Sequence, residues 1–144
     1  MRIEPADDAM FRERGSWRYD PPYDFYDDDD GMPVKNPELF FAARDGGGTL
    51  IGFYFFEPHG DALFYGPGLR PDLTGRRIGG QFVLAGLEFA RALHGRRRVV
   101  LDVAAFNERA IRLYRRLGFN EIGRHTMTFD DYGAMEFVEM EKLD

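Results

Sequence analysis

Residues 68–80 read GLRPDLTGRRIGG, four glycines and three arginines between a strand-like run and a long apolar helix. Upstream, Ala62–Leu69 has strand character but is interrupted by Gly66, Pro67 and Gly68. Proline and glycine inside a strand signal a bulge or an opening in the ladder, often where something binds. Downstream, from Arg76 to His94, Ile78, Phe82, Ala85, Phe89 and Leu93 recur three or four residues apart on one helical face, and Gly95 supplies the stop. A strand that opens into a glycine-bearing turn and then a helix brings unpaired N–H groups to one point, with the partial positive charge of a helix N-terminus. A pyrophosphate suits that point. Gly75, Gly79 and Gly80 allow close approach, and Arg76 and Arg77 add charge. No Gly-Lys-Ser/Thr follows, which excludes a P-loop, and the glycine spacing is not that of a dinucleotide fold. The competing reading is that these glycines only permit tight helix–sheet packing.

Working outward, Leu39–Ala43 and Thr49–Glu57 read as strands of a hairpin around Asp45–Gly48, with a turn at Glu57–Gly60. Val99–Ala104 is apolar except for Asp102, as in a central strand covered on both sides. Asn107 is a suitable N-cap for a helix that buries Ala110, Ile111, Tyr114 and Leu117 and ends at Gly118. Two more strands, Asn120–Phe129 and Met135–Lys142, join at Asp130–Gly133. Met1–Ala6 suits a short edge strand, while the following segment is broken by Pro21, Pro22 and Pro33. Strands, helix, strand, helix, strands is the order of an α/β or α+β domain with a mixed sheet.

At 144 residues the chain has the size of one ordinary domain, and its 44% hydrophobic and 31% charged residues suit a globular protein. No run is long enough to span a membrane and the N-terminus lacks a signal peptide's apolar core, so a soluble, cytoplasmic protein is expected. Zero cysteines exclude a thiol nucleophile, and His59, His94 and His125 have no paired metal-ligand spacing, so no metal is expected. The net charge of −6 is uneven: residues 1–34 hold ten acids and four arginines, whereas residues 68–124 hold twelve arginines and five acids. One end suits a cation and the middle a polyanion. The run Asp27–Asp30 by itself reads as a solvated loop. A nucleic-acid partner is disfavoured by the acidic total and by the lack of aromatics among Arg96–Arg98.

Leu69-Arg70-Pro71 followed by Thr74-Gly75-Arg76-Arg77-Ile78-Gly79 resembles the acyl-CoA signature of the GNAT superfamily of N-acetyltransferases, Arg/Gln-x-x-Gly-x-Gly/Ala at a helix start. Thr74 replaces the usual Arg or Gln, and Arg77 stands at the middle glycine. A second segment, LDVAAFNERAIRLYRRLGF (residues 101–119), is similar to the family's later strand–helix unit without a gap. The resemblance covers residues 38–125. It implies a mixed, mostly antiparallel central sheet with a bulged or splayed middle strand and flanking helices. The chain is then one acetyltransferase domain over 1–144, with 1–36 as a divergent acceptor-side segment and 68–119 as the acetyl-CoA core.

The implied reaction is acetyl transfer from acetyl-CoA to a primary amine of a small molecule, peptide or protein by direct attack. An ammonium must lose a proton, an oxyanion must be held and a thiolate must leave. The resemblance makes Tyr114 the acid for the thiolate. Asp102, whose burial would raise its basicity, and Glu57 are rival bases. A backbone N–H near Leu69 faces the oxyanion. Leu69, Arg70, Pro71, Thr74, Gly75, Arg76, Arg77, Ile78, Gly79 and Gly80 would hold the donor, with Asn107, Arg109, Arg112 and Tyr114, and with Arg115 in reach. For the acceptor, Trp17, Tyr19, Tyr23 and Tyr26 sit among acids, where rings and carboxylates suit a cationic amine. Phe25 joins them, and Tyr65 is a further candidate for positioning the acceptor. Hydrophobic anchoring of a loop to the sheet is the better explanation for most of those rings. A homodimer is compatible with these features, and a non-catalytic acyl-CoA sensor is the alternative function.

Overall fold

A computed structural model describes residues 1–27, 35–129 and 132–143. The expected acidic run continues through Asp28–Asp30, and the expected last turn includes Asp130 and Asp131; these residues lie outside the described ones, as does Pro33. The elements are β1 (Arg2–Pro5), α1 (Asp8–Gly15), β2 (Phe40–Arg44), β3 (Leu50–His59), β4 (Ala62–Leu69), α2 (Gly79–His94), β5 (Arg98–Ala104), α3 (Glu108–Arg116), β6 (Asn120–Phe129) and β7 (Gly133–Lys142). The strands form one sheet in the order β1-β2-β3-β4-β5-β7-β6. Its β4–β5 pair is parallel and every other pair is antiparallel.

Pairing between β4 and β5 runs only from Ala62↔Arg98 to Phe64↔Val100. The cause can be read from β4. The Arg70 N–H donates to the Ile51 carbonyl at 2.9 Å, which makes the neighbouring Gly52↔Leu69 pair non-hydrogen-bonded. Residues 65, 67 and 69 therefore turn their backbone groups away from β3, towards β5. Pro67 has no N–H to offer there. The ladder ends and the strands diverge, β4 staying with β3 to Leu69 and β5 turning to β7 as far as Ala104↔Phe137. The β3–β4 register has no shift, so the disturbance signalled by Gly66–Gly68 is an opening on one side rather than a bulge.

Helices α2 and α3 cover one sheet face. Their core includes Tyr54, Phe56, Tyr65, Phe82, Leu101, Val103, Ile111, Phe119, Val138 and Met140. The Tyr54 and Tyr65 phenols donate to consecutive carbonyls of α2, Phe82 at 2.6 Å and Val83 at 2.8 Å. Gly86 makes that approach possible, because a Cβ there would run into the Tyr65 hydroxyl and the Tyr54 ring. The buried stripe of α2 is Phe82, Val83, Gly86 and Ala90, and Leu93 is 50% exposed. This corrects the face expected from Ile78 to Leu93: the tyrosines dock on the side marked by a glycine, which an apolar count does not register. The helix also begins at Gly79 rather than Arg76.

The first 27 residues contribute an unexpected helix and the anchoring of a ring to the sheet that the sequence suggested. Helix α1 is capped by Asp7, whose carboxylate accepts the Met10 N–H at 2.9 Å. It buries Met10 and Phe11 with Trp17, Ala42 and Leu50 on the other sheet face. After it, Phe25 lies among Phe106, Phe129, Tyr132 and Phe137, with ring centroids between 5.0 and 6.1 Å. The segment is thereby pinned across the open end of β5.

Candidate active site

The divergence of β4 and β5 opens two clefts that share a wall. The first, of about 430 Å³, is lined by Trp17, Tyr19, Tyr23, Tyr26, Asp27, Phe53, Tyr65–Leu69, Leu101–Val103 and the start of α3. The second, of about 570 Å³, is lined by Thr74, Gly75, Arg77, Gly79, Gly80, Val83, Leu113, Arg116 and Leu117. Both include Pro67, Leu69, Thr74, Asn107, Arg109, Ala110 and Tyr114.

The second cleft has the character of an anion site. Helix α2 starts after Ile78 with no side chain capping it, and the Phe82 N–H donates to the Ile78 carbonyl at 3.0 Å. The N–H groups of Gly79, Gly80 and Gln81 are left pointing forward from the helix start. Gly75 and Arg77 take φ values of 76° and 62°. Arg77 thus keeps the left-handed geometry that a glycine adopts without strain. Thr74 turns inward, its hydroxyl donating to the Pro71 carbonyl at 2.7 Å. Gly79 packs near Leu113 of α3, where a Cβ would lie 3.3 Å from the leucine Cδ2. Close packing and an open helix terminus therefore occur together at this glycine.

Tyr114 stands at the junction. Burial pushes its phenol well above the usual tyrosine value, with Tyr26 adding to the shift, and among the described residues its hydroxyl has no hydrogen-bond partner. A protonated phenol with an unused proton at the meeting of two clefts can donate to a group placed there. The Leu69 N–H and carbonyl both face the opening by the alternation above. Tyr19 donates to that carbonyl at 2.7 Å, leaving the N–H towards the cleft.

The roof of the first cleft is tied to both walls. Tyr19 bonds to Leu69 on β4, and Asn107, at the start of α3, donates to the Tyr26 hydroxyl at 3.2 Å. Asn107 also caps α3 by accepting the Ala110 N–H at 3.2 Å. Asp27 accepts the Tyr19 N–H at 2.8 Å. Arg109 lies over the Tyr23 ring at 4.5 Å and reaches towards Gly75, which puts one cation between the two clefts. Burial raises the Tyr19 phenol to about 12, with Asp27 reinforcing the shift, and it raises Tyr26 as well.

Several expected residues lie elsewhere or act differently. Asp102 is not buried: strand alternation turns it away from α3, 47% of its side chain is exposed, and it faces the first cleft with His125 at 3.6 Å. Glu57 lines neither cleft, because β3 carries it past the end of the opening, opposite Phe64. Tyr65 is 4% exposed and its hydroxyl is committed to Val83. Trp17 borders the first cleft but packs mainly with the α1 cluster, against Phe53. Arg70, Pro71, Arg76, Ile78 and Arg112 line neither cleft. Arg70 is paired with Asp72 at 2.6 Å, and Arg112 with Glu108 at 3.8 Å. Arg116 is a lining residue missed from the sequence, although Arg109, Leu113 and Arg116 share a helical face by spacing.

A family model described as the acetyltransferase (GNAT) family matches residues 4–119. A mycothiol acetyltransferase of Clavibacter michiganensis is 38% identical over 96 residues, 66% of this chain and 31% of that protein. One from Saccharopolyspora erythraea is 34% identical over 115 residues, 78% of this chain and 32% of that protein. The chain thus spans about a third of the length of the curated relatives it matches. Among solved structures, a spermidine N-acetyltransferase SpeG chimera from Vibrio cholerae and hSSAT matches with a TM-score of 0.76 at 15% identity, covering 99% of this chain and 96% of that one. A dodecameric spermidine N-acetyltransferase from Vibrio cholerae matches with a TM-score of 0.64 at 21% identity, covering 72% and 63%. At these identities the structural matches speak for the fold.

Proposed function

The chain belongs to the acetyltransferase (GNAT) family, and from that premise we propose that it transfers an acetyl group from acetyl-CoA to a primary amine by direct attack. The observation that carries this reading is Tyr114, a phenol with an unused proton where an anion-type cleft and an aromatic, acidic cleft meet. Acetyl-CoA would supply the acetyl group and a thiolate that departs. The forward-pointing N–H groups of Gly79, Gly80 and Gln81, with Arg77 and Arg116 beside them, suit its pyrophosphate. The Leu69 N–H suits the oxyanion, and Tyr114 the departing sulfur. On the other side Asp102 and Asp27 offer carboxylates to an ammonium, and Tyr19, Tyr23 and Tyr26 offer rings.

Residues 1–36 then serve as the acceptor-side segment and 68–119 as the donor-side core of one acetyltransferase domain. No helix of the described residues is long and apolar enough to cross a membrane. The acceptor class is a primary amine on a small molecule, peptide or protein. The names of the relatives, mycothiol and spermidine acetyltransferases, make amine-bearing metabolites the first compounds to try.

Calorimetric titration with acetyl-CoA, desulfo-CoA and ATP tests the donor site. Micromolar binding of both CoA compounds with no comparable ATP binding supports the reading. Absence of CoA binding would mean that the loop with Thr74 and Arg77 does not hold a pyrophosphate, and binding without turnover on any amine would favour the sensor alternative.

A further inference from the structure

On the sheet face below the first cleft a carboxylate and an imidazole lie side by side. Asp102 projects from β5 into that cleft, and the Nε2 of His125 on β6 lies 3.6 Å from its Oδ2. The imidazole is held flat on Phe137, with centroids 5.7 Å apart and planes 15° apart. It is 39% exposed, so the ring touches the carboxylate on one side and water on the other. The register sets Glu139 of β7 directly opposite Asp102, on the same face. Arg124, next to His125, points to the other face and is bonded to Glu121 and Glu136. The charged groups that the register places beside His125 on this face are therefore Asp102 and Glu139.

A carboxylate alone is a weak base for an ammonium, whereas imidazole is the side chain that exchanges protons near neutrality. We propose that His125 is a positioning residue acting through Asp102, orienting the carboxylate towards the acceptor and passing the acceptor's proton to solvent. This rests on the acetyltransferase reading above. An ammonium N–H bond breaks and its proton goes to the Asp102 carboxylate, leaving the amine lone pair free to attack. That proton then passes to Nε2 of His125, 3.6 Å away, through one bridging water or as the two groups close to hydrogen-bond distance, and the imidazolium releases it to water. No electrons are exchanged with any other group.

The test is kcat/KM for an accepted amine between about pH 5 and about pH 9 in the wild type, His125→Gln, Asp102→Asn and the double variant, with the acetyl-CoA Kd measured for each. His125→Gln is expected to lower kcat/KM at neutral pH roughly tenfold, at the low end of acid–base effects, and to displace the acid limb of the profile without changing the acetyl-CoA Kd. The double variant should be no slower than Asp102→Asn alone, since the histidine works through the aspartate. In His125→Ala, added imidazole should restore part of the lost rate, an effect that a purely structural histidine would not give. An unmoved acid limb, losses that multiply in the double variant, or absence of imidazole rescue would overturn the proposal. If the wild type binds acetyl-CoA yet acetylates no amine, the acetyltransferase reading itself fails and this inference falls with it; turnover with an indifferent His125 overturns this inference alone.

Discussion

At Tyr114 a single phenolic oxygen separates two roles. As a core ring it would be replaceable by phenylalanine at little cost, whereas as a proton donor it would not. A thiolate is already a tolerable leaving group, so the donor is worth about 10²-fold. Tyr114→Phe is expected to lower kcat by that factor and leave the acetyl-CoA Kd within about twofold, as read by steady-state kinetics beside calorimetry. Arg77 poses a backbone question. Its φ of 62° disfavours a side chain, and more so a β-branched one. Arg77→Gly should therefore change unfolding stability by no more than about 1 kcal/mol, whereas Arg77→Val should lower it by about 1–2 kcal/mol, as read from denaturant midpoints. Equal effects of the two variants would show that the lost guanidinium, not the left-handed geometry, sets the cost. The departure at residue 77 was visible in the sequence, but its backbone geometry was not.

Helix α2 is the element where reading by periodicity met its limit. Its apolar residues define two overlapping stripes, and the docked one is centred on Gly86, where the Tyr54 and Tyr65 hydroxyls reach the Phe82 and Val83 carbonyls. Glycine to alanine in an exposed helix stabilises, because alanine loses less backbone freedom. Here the added Cβ would meet the Tyr65 hydroxyl and the Tyr54 ring. Gly86→Ala is expected to destabilise by about 1–3 kcal/mol, as overpacking does, and a rise in melting temperature would contradict this docking. Helix α1 was missed for a different reason: four of its eight residues are charged, and its two buried side chains, Met10 and Phe11, make too short a stripe to count. The Asp7 cap with Arg12 and Arg14 in the last turn was the available signal. By contrast β4, β5 and α3 were legible, since proline, an apolar run and an asparagine cap each act locally. Asp102 was legible as a residue but not as a direction. An apolar strand was read as covered on both sides, yet the face bearing Asp102 is open at that position.

Over the whole molecule, the walls of the opening and the roof above it are joined by phenols, and burial raises Tyr19, Tyr26, Tyr54, Tyr65 and Tyr114 above their ordinary value of 10.0. The folded chain keeps these protons where the unfolded chain releases them. The unfolded state therefore binds fewer protons above pH 10, and stability falls as pH rises; for Tyr19 that window runs from 10.0 to about 12. Each such phenol adds a slope of about 1.4 kcal/mol per pH unit within its window. Denaturant unfolding should show stability dropping steeply on going above about pH 10, and Tyr19→Phe should flatten the fall. The roof also explains why the first 27 residues were the least readable part of the sequence. Tyr19, Tyr26 and Phe25 meet partners at Leu69, Asn107 and Phe129, tens of residues away, and local pattern does not report such distant partners. The measurement that bears most directly on the two joined clefts is mass-spectrometric detection of acetylated products when the chain and acetyl-CoA are incubated with a mixed library of amines. Appearance of acetylated primary amines, with Tyr114→Phe making them about 10²-fold more slowly, is the expected result; acetyl-CoA binding with no acetylated amine, or equal rates for the two proteins, would contradict it.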